Sequence, residues 1–150
     1  MMLVATSVRA SAIEGVGVFA VDFIPAGTPI WALDERFDKV FTEEEVASFP
    51  KNVQDYFTRY GYPHMEREGF VVLELDNGRF MNHSMTPNTD FTRPDVGYAI
   101  ADIHPGDELI CNYFEFDRTF QGFEAPAIAV EPAYAVQKPN GVGSGISASL

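Results

Sequence analysis

The sequence predicts a mainly β domain built of several short sheets, with a small helical insert. Three observations predict it. Strand-length runs of β-branched and aromatic residues, cut by Gly and Pro turns, flank residues 42–61 on both sides. Helical spacing of apolar residues is confined to that window. Finally, "FAVDFIPAGTPI" (19–30) is echoed by "YAIADIHPGDEL" (98–109): aromatic, Ala, Val or Ile, two variable, Ile, two variable, Gly, two variable, Ile or Leu. Two such strand-turn-strand units suit several small sheets better than one long ladder.

Residues 16–21 (VGVFAV) are rich in β-formers, and Pro25-Ala26-Gly27 gives a turn before the strand begun by Pro29-Ile30-Trp31. Thr42 with Glu45 three residues on fits a capping box, and acids crowd the first turn, where the helix dipole favours them. Pro50 ends that short helix or begins a second. "KNVQDYFTRYG" (51–61) then places Val53, Tyr56, Phe57 and Tyr60 at helical spacing and stops at Gly61. "FVVLEL" (70–75), the turn signal Asp76-Asn77-Gly78 and "RFMN" (79–82) predict a hairpin. "GYAIADI" (97–103), a turn at His104-Pro105-Gly106 and "ELICNYF" (108–114) predict another strand-turn-strand unit. From Gln121 the chain turns rich in Ala, Pro, Gly, Ser and Val, and "NGVGSGISASL" has the composition of a flexible segment. The expected organisation is one domain over 1–120, with the helical insert at about 42–61, and a C-terminal extension over 121–150 with a mobile end.

A chain of 150 residues with 46% hydrophobic side chains can build one core, and 13 Phe and six Tyr make much of it aromatic. A formal net charge of −12 repels nucleic-acid phosphates and suits a Lys/Arg-rich protein partner, so no direct nucleic-acid binding is expected. A single cysteine, Cys111, rules out a disulfide framework or a cysteine-built zinc site within one chain. His64, His83 and His104 lack ligand-like spacing, so no metal is expected. The apolar start MMLVA lacks a basic flank, and no apolar run nears the ~20 residues of a membrane span. The expected location is cytoplasmic, with the nucleus open to a eukaryotic or viral chain.

Taken singly, the chemical candidates are modest. Gly15-x-Gly17 lacks a third glycine opening a helix, so it is no dinucleotide fingerprint; it reads as a turn or bulge, or as backbone that can press against a ligand. Cys111, His83 and Asn82 supply the residue types of a cysteine hydrolase, but Cys111 sits mid-run in "ELICNYF", where a cysteine usually packs. Tyr113, at the end of the same run, reads by itself as a core tyrosine with a satisfied hydroxyl.

Together these pieces resemble the SET-domain family of S-adenosylmethionine-dependent protein lysine methyltransferases, from about Val4 to Asp117. "SAIEGVGVFAVDFIPAGTPI" is similar to the family's opening Gly-x-Gly-x-Phe-Ala segment and its Ile-x-x-Gly turn. "RFMNHSMTPN" is similar to Arg-Phe-x-Asn-His-Ser-Cys-x-Pro-Asn, and "IADIHPGDELICNY" to Asp-Ile-x-x-Gly-Glu-Glu-Leu-x-x-x-Tyr. The resemblance implies a SET-type fold whose C-terminal Asn-His-Ser stretch threads beneath a neighbouring segment as a pseudoknot. It implies S-adenosylmethionine held by Gly15, Val16, Gly17, Arg79, Asn82, His83 and Tyr113, with S-adenosylhomocysteine as product and no metal. Tyr113 falls on the active-site tyrosine, and Phe91, Tyr98, Cys111 and Phe116 are expected along the lysine channel. Arg79 and Glu108 also match family positions and are expected to pair across the crossing segments.

The chain also departs from the family pattern. Met85 replaces the common cysteine after Asn-His-Ser, and no cysteine cluster follows Tyr113 to make a zinc-bound flap. Residues 114–135, with Phe114, Phe116, Phe120, Phe123 and Tyr134, or a second subunit, are the candidates to cover the channel. Some small stand-alone members are dimers, so a homodimer is left open. Cys111 stands where many members carry a Phe or Tyr that limits the number of methyl groups, which suggests di- or trimethylation. The implied substrate is a lysine in a basic protein or peptide, such as a histone tail. The alternative is a SET-fold module that docks a basic peptide without catalysis.

Overall fold

A computed structural model of the chain describes residues 1–122. In chain order its strands are β1 (Thr6–Ala10), β2 (Val16–Ala20), β3 (Pro29–Ala32), β4 (Lys39–Thr42), β5 (Gly61–Pro63), β6 (Phe70–Leu73), β7 (Asn82–His83), β8 (Thr89–Asp90), β9 (Val96–Ala99) and β10 (Glu108–Cys111). Helices α1 (Glu43–Ser48) and α2 (Lys51–Tyr60) stand between β4 and β5. Among the described residues the strands form a sheet in the order β1-β2-β10-β7 and two more in the orders β3-β9-β8 and β4-β6-β5. The architecture is mainly β, in small sheets, with a helical insert. The expected C-terminal extension, with Phe123 and Tyr134, lies outside the described residues but for Gln121 and Gly122.

The sequence echo is a pairing rule. The first strand of each unit pairs with the second strand of the other: Phe19 opposes Glu108 in β2·β10, and Pro29 opposes Tyr98 in β3·β9. At the centre Ile24 and Ile103 exchange backbone hydrogen bonds, both 2.9 Å. Around them each bond has its counterpart. Gly106 N donates to Ala20 O at 2.9 Å and Gly27 N to Ala99 O at 2.7 Å; Ala20 N donates to Asp107 O at 2.9 Å and Ala99 N to Thr28 O at 3.0 Å. Residues 97–103 and 108–114 therefore do not form the expected unit with each other; each pairs across the pseudo-twofold. The apolar positions turned inward by this arrangement make the core: Val18, Ile30, Ile103 and Leu109 are at most 1% exposed, and Trp31, Ala99, Met81, Phe91 and Cys111 pack with them.

The predicted hairpin over 70–82 does not form. Both edges of β6 are already taken, by β4 and β5. The Asp76 carboxylate accepts from Gly78 N at 3.0 Å and caps a 3-10 turn, Asn77–Phe80, instead of a tight hairpin turn. The chain is thereby sent to β10, where β7 pairs in parallel, Asn82 opposite Ile110 and His83 opposite Cys111.

The insert is held at its ends and by one aromatic anchor. Thr42 Oγ1 accepts from Glu45 N at 3.1 Å, and the Glu45 carboxylate accepts from Thr42 N at 2.7 Å. Phe57, the buried residue of α2, meets Phe41 and Phe49 with ring centroids 5.0 and 5.9 Å away. Because α1 has no buried side chain, its cap carries much of its stability. Thr42→Ala is expected to cost about 1 kcal/mol and Leu109→Ala, deep in the core, about 2–5 kcal/mol. Urea unfolding, with the midpoint shifting at constant slope, measures both.

Candidate functional site

Asn82 lies at the junction of three segments. Its Nδ2 donates to Glu108 Oε1 at 2.8 Å, Val16 O at 3.0 Å and Glu14 O at 3.3 Å. An amide nitrogen has two hydrogens, so three acceptors saturate it. Its Oδ1 meets no donor among the described residues, and Asn82 is 9% exposed. Glu108 is fixed in turn by Ser11 Oγ, which donates to Oε2 at 2.9 Å. Gly17 makes room for this pair: a Cβ there would overlap the Glu108 carboxylate and come within 3.1 Å of Asn82 Nδ2. The turn over 14–17, β7 and β10 are thus locked around one amide, with an acceptor oxygen left over.

Glu108 does not pair with Arg79, as the sequence had suggested. The strand register turns Glu108 toward Asn82, whereas Arg79 lies in the 3-10 turn with its guanidinium 4.7 Å over the Phe80 ring and Nη1 donating to Leu75 O at 3.4 Å. Arg79 Nε is buried without a partner among the described residues.

The second cluster surrounds Tyr113, which opens a 3-10 turn capped by the Asn112 side chain. Tyr113 Oη donates to Met81 O at 2.6 Å, and its backbone N–H donates to His83 Nδ1 at 3.1 Å. Burial is the main reason the Tyr113 phenol lies well above its usual range, so it remains a neutral hydroxyl. Burial also lowers the pKa of His83, whose ring lies against Tyr113, Phe114 and Phe120 at 5.3, 5.6 and 5.0 Å. Phe116 packs on Tyr113 at 5.7 Å, Phe91 at 5.7 Å and Tyr62 at 5.2 Å. Cys111 is 2% exposed, its Sγ donating to Asn82 O at 3.6 Å. Burial pushes its thiol well up, the reverse of what a nucleophile needs, so the hydrolase arrangement is absent.

Thus Gly15, Val16, Gly17, Asn82 and His83 meet at one junction, and Tyr113, Phe116, Phe91 and Cys111 gather beside it. Tyr98 stands apart. Gly97 and Ala99 are buried, so the strand alternation turns Tyr98 the other way, under Arg93 at 5.0 Å.

Sequence reasoning missed Tyr62 and Glu74. Tyr62 Oη donates to Glu74 Oε1 at 3.2 Å, and Glu74 Oε2 is buried with no partner among the described residues. A Cβ at Gly78 would overlap that carboxylate, so the glycine is what admits it. Burial first, then the charges of Asp76 and Asp38, push the Glu74 carboxyl up to about 7, against the Met1 ammonium and the Tyr62 hydrogen bond, which lower it. The signal for Glu74 was a carboxylate inside the apolar run FVVLEL; Tyr62 had no signal of spacing.

A family model described as the SET domain matches residues 15–114. A search of curated protein sequences gives no match. Among solved structures, a humanized mutant of the Chaetomium thermophilum Polycomb Repressive Complex 2, bound to the inhibitor GSK126, is 22% identical with a TM-score of 0.57. That match covers 77% of this chain but 15% of the other. A Plasmodium falciparum protein described as a candidate histone methyltransferase is 21% identical with a TM-score of 0.52, over 75% of this chain and 95% of its own. Both likenesses are of fold.

A raised carboxyl pKa means that the folded state binds the proton more tightly than the unfolded chain. Its contribution to stability is therefore present below the usual carboxylate range and is lost as pH rises toward about 7. Glu74→Gln is expected to remove this decline, which is at most ~1.4 kcal/mol per pH unit, and to stabilise the protein at pH 8. Urea midpoints from pH 4.5 to 8 check it; parallel profiles for variant and wild type would contradict it.

Proposed function

Since this chain belongs to the SET-domain family, we propose that it transfers a methyl group from S-adenosylmethionine to the side-chain amine of a lysine in a basic protein segment. The observation that carries the reading is the closeness along the chain of the saturated Asn82 amide, in β7, and the Met81 carbonyl just before it, which holds the Tyr113 hydroxyl. The crossing of residues 82–90 with 108–113 is read as the pseudoknot.

The residues present fit the cofactor's amino-acid head. Asn82 Oδ1, which meets no donor among the described residues, suits its ammonium, and the Arg79 guanidinium is the proposed complement of its carboxylate. Gly15, Val16, Gly17, His83 and Tyr113 complete the proposed contacts. When bound, S-adenosylmethionine supplies an electrophilic methyl group and leaves as S-adenosylhomocysteine.

The chain's own residues align the amine and keep water out. With its proton committed to Met81 O, the Tyr113 oxygen acts as an acceptor, able to take an amine N–H and aim the nitrogen lone pair. Phe91 and Phe116 form the apolar wall beside it, and Phe114 and Phe120 flank its other side. Cys111 is small where an aromatic would crowd the amine, which supports addition of a second and third methyl group. A net charge of −12 suits a basic substrate such as a histone tail.

The test is transfer of labelled methyl to core histones and to a basic protein extract, with cofactor affinity measured by calorimetry. Asn82→Ala is expected to lose cofactor binding and transfer together. Tyr113→Phe is expected to keep binding and lose about 10²–10³-fold in kcat. Mass spectrometry of the product is expected to show di- and trimethyl-lysine; monomethyl-lysine alone after long incubation would overturn that part. Cofactor binding without transfer to any basic protein would favour a peptide-docking module, and neither binding nor transfer would remove the enzyme altogether.

A further inference from the structure

The lysine amine must lose a proton before it can attack, and the buried carboxylate of Glu74 stands unexplained. Leaving a buried acceptor oxygen unpartnered costs about 1–3 kcal/mol, a cost that calls for a reason. Among the described residues Asp38 Oδ1 is also buried without a partner, but that carboxylate is neutralised through Oδ2, and the other carboxylates nearby have donors. Asp38 Oδ2 takes the Met1 ammonium at 2.7 Å and Asp34 N at 3.2 Å, Glu108 takes Asn82 and Ser11, and Glu115 takes Phe91 N at 2.8 Å. Glu74 has a single phenol, Tyr62. The Tyr62 ring packs on Phe116, and Phe116 packs on Tyr113, so a single ring links Tyr62 to the tyrosine of the proposed lysine site. Gly78, which gives the carboxylate its room, begins the short path through Arg79 and Phe80 to Met81, the partner of Tyr113.

We propose that Glu74, acting through the Tyr62 hydroxyl, is the acceptor for the proton that the substrate lysine ammonium sheds before methyl transfer. This rests on the methyltransferase reading above. The lysine N–H proton passes to Tyr62 Oη as the Tyr62 proton passes to Glu74 Oε1. An ammonium and a carboxylate become a neutral amine and a carboxylic acid, Tyr62 ends as it began, and Glu74 later gives its proton to water. No co-reactant is needed.

The charged and titratable groups facing this pair come from several elements. Asp76 on its own segment and Asp38 before β4 raise the proton affinity of Glu74, and the Met1 ammonium lowers it. Asp38 and Asp95 act on Tyr62, whose phenol burial keeps protonated, and Cys111 of β10 feels the Glu74 charge while its own thiol stays neutral. The resulting affinity near neutrality suits a base that must both take and release a proton.

Two readouts test the proposal on the whole chain. The first needs no substrate: infrared titration is expected to show a carboxyl C=O band that disappears near pH 7 and is absent from Glu74→Gln. A Glu74 band lost in the ordinary carboxylate range would overturn the proposal. The second is the pH profile of methyl transfer to core histones. Glu74→Gln is expected to lose about 10²-fold in kcat at pH 7, with cofactor affinity kept, and the gap is expected to narrow toward pH 10, where lysine itself becomes neutral. Glu74→Asp is expected to recover part of the loss. If Glu74→Gln does not fold, Tyr62→Phe decides by the same profile. An active wild type tracked by its variants at every pH overturns the proton acceptor alone; a wild type that neither binds S-adenosylmethionine nor transfers methyl overturns the underlying reading as well.

Discussion

One amide nitrogen holds the site together. Asn82 Nδ2 reaches the carbonyls of Glu14 and Val16 and the carboxylate of Glu108, tying the first turn of the chain to β7 and β10. The register of two short parallel strands and the absence of a side chain at Gly17 both serve that contact. In a buried place each of these hydrogen bonds prevents a desolvation penalty, so the three segments are constrained together or not at all. The consequence for chemistry is directional. With the nitrogen committed, the amide has only its oxygen left to offer, an acceptor for a donor group.

Around this junction the two echoed units act as a frame. Their crosswise pairing through Ile24 and Ile103 buries Val18, Ile30 and Leu109 and fixes β10, the strand that carries Glu108 and leads to Tyr113. A rigid apolar frame allows the site itself to keep polar atoms that stability alone would remove. Arg79 Nε and Glu74 Oε2 are two that meet no partner among the described residues, and their side chains have proposed uses: one beside a cofactor carboxylate, the other, through Glu74 Oε1, for a proton.

The aromatic residues after β10 do more than fill space. Phe116 touches Tyr113, Phe91 and Tyr62, so a single ring joins the tyrosine proposed to orient the amine to the phenol bonded to Glu74. Phe114 and Phe120 close against His83 on the far side, where the chain has no cysteines to build a metal-bound flap.

The sequence by itself determined the local elements and the family. Residue types set them: β-branched runs, the Thr42–Glu45 capping box, Gly61 ending α2, and three ordered motifs. The echo was visible too, though not the crosswise pairing it encodes, because a strand's pattern shows which face is buried and not which neighbour it meets. Only the tertiary structure decided that β6 had no edge left for a hairpin, that Glu108 turns to Asn82 rather than to Arg79, and that Tyr98 faces away from the site. Only it revealed Glu74 and Tyr62, separated by twelve residues, as one acid–phenol pair. Hydrogen bonds and burial depend on which groups are near in space, and the order of residues along a chain specifies that only once the sheets have chosen their partners.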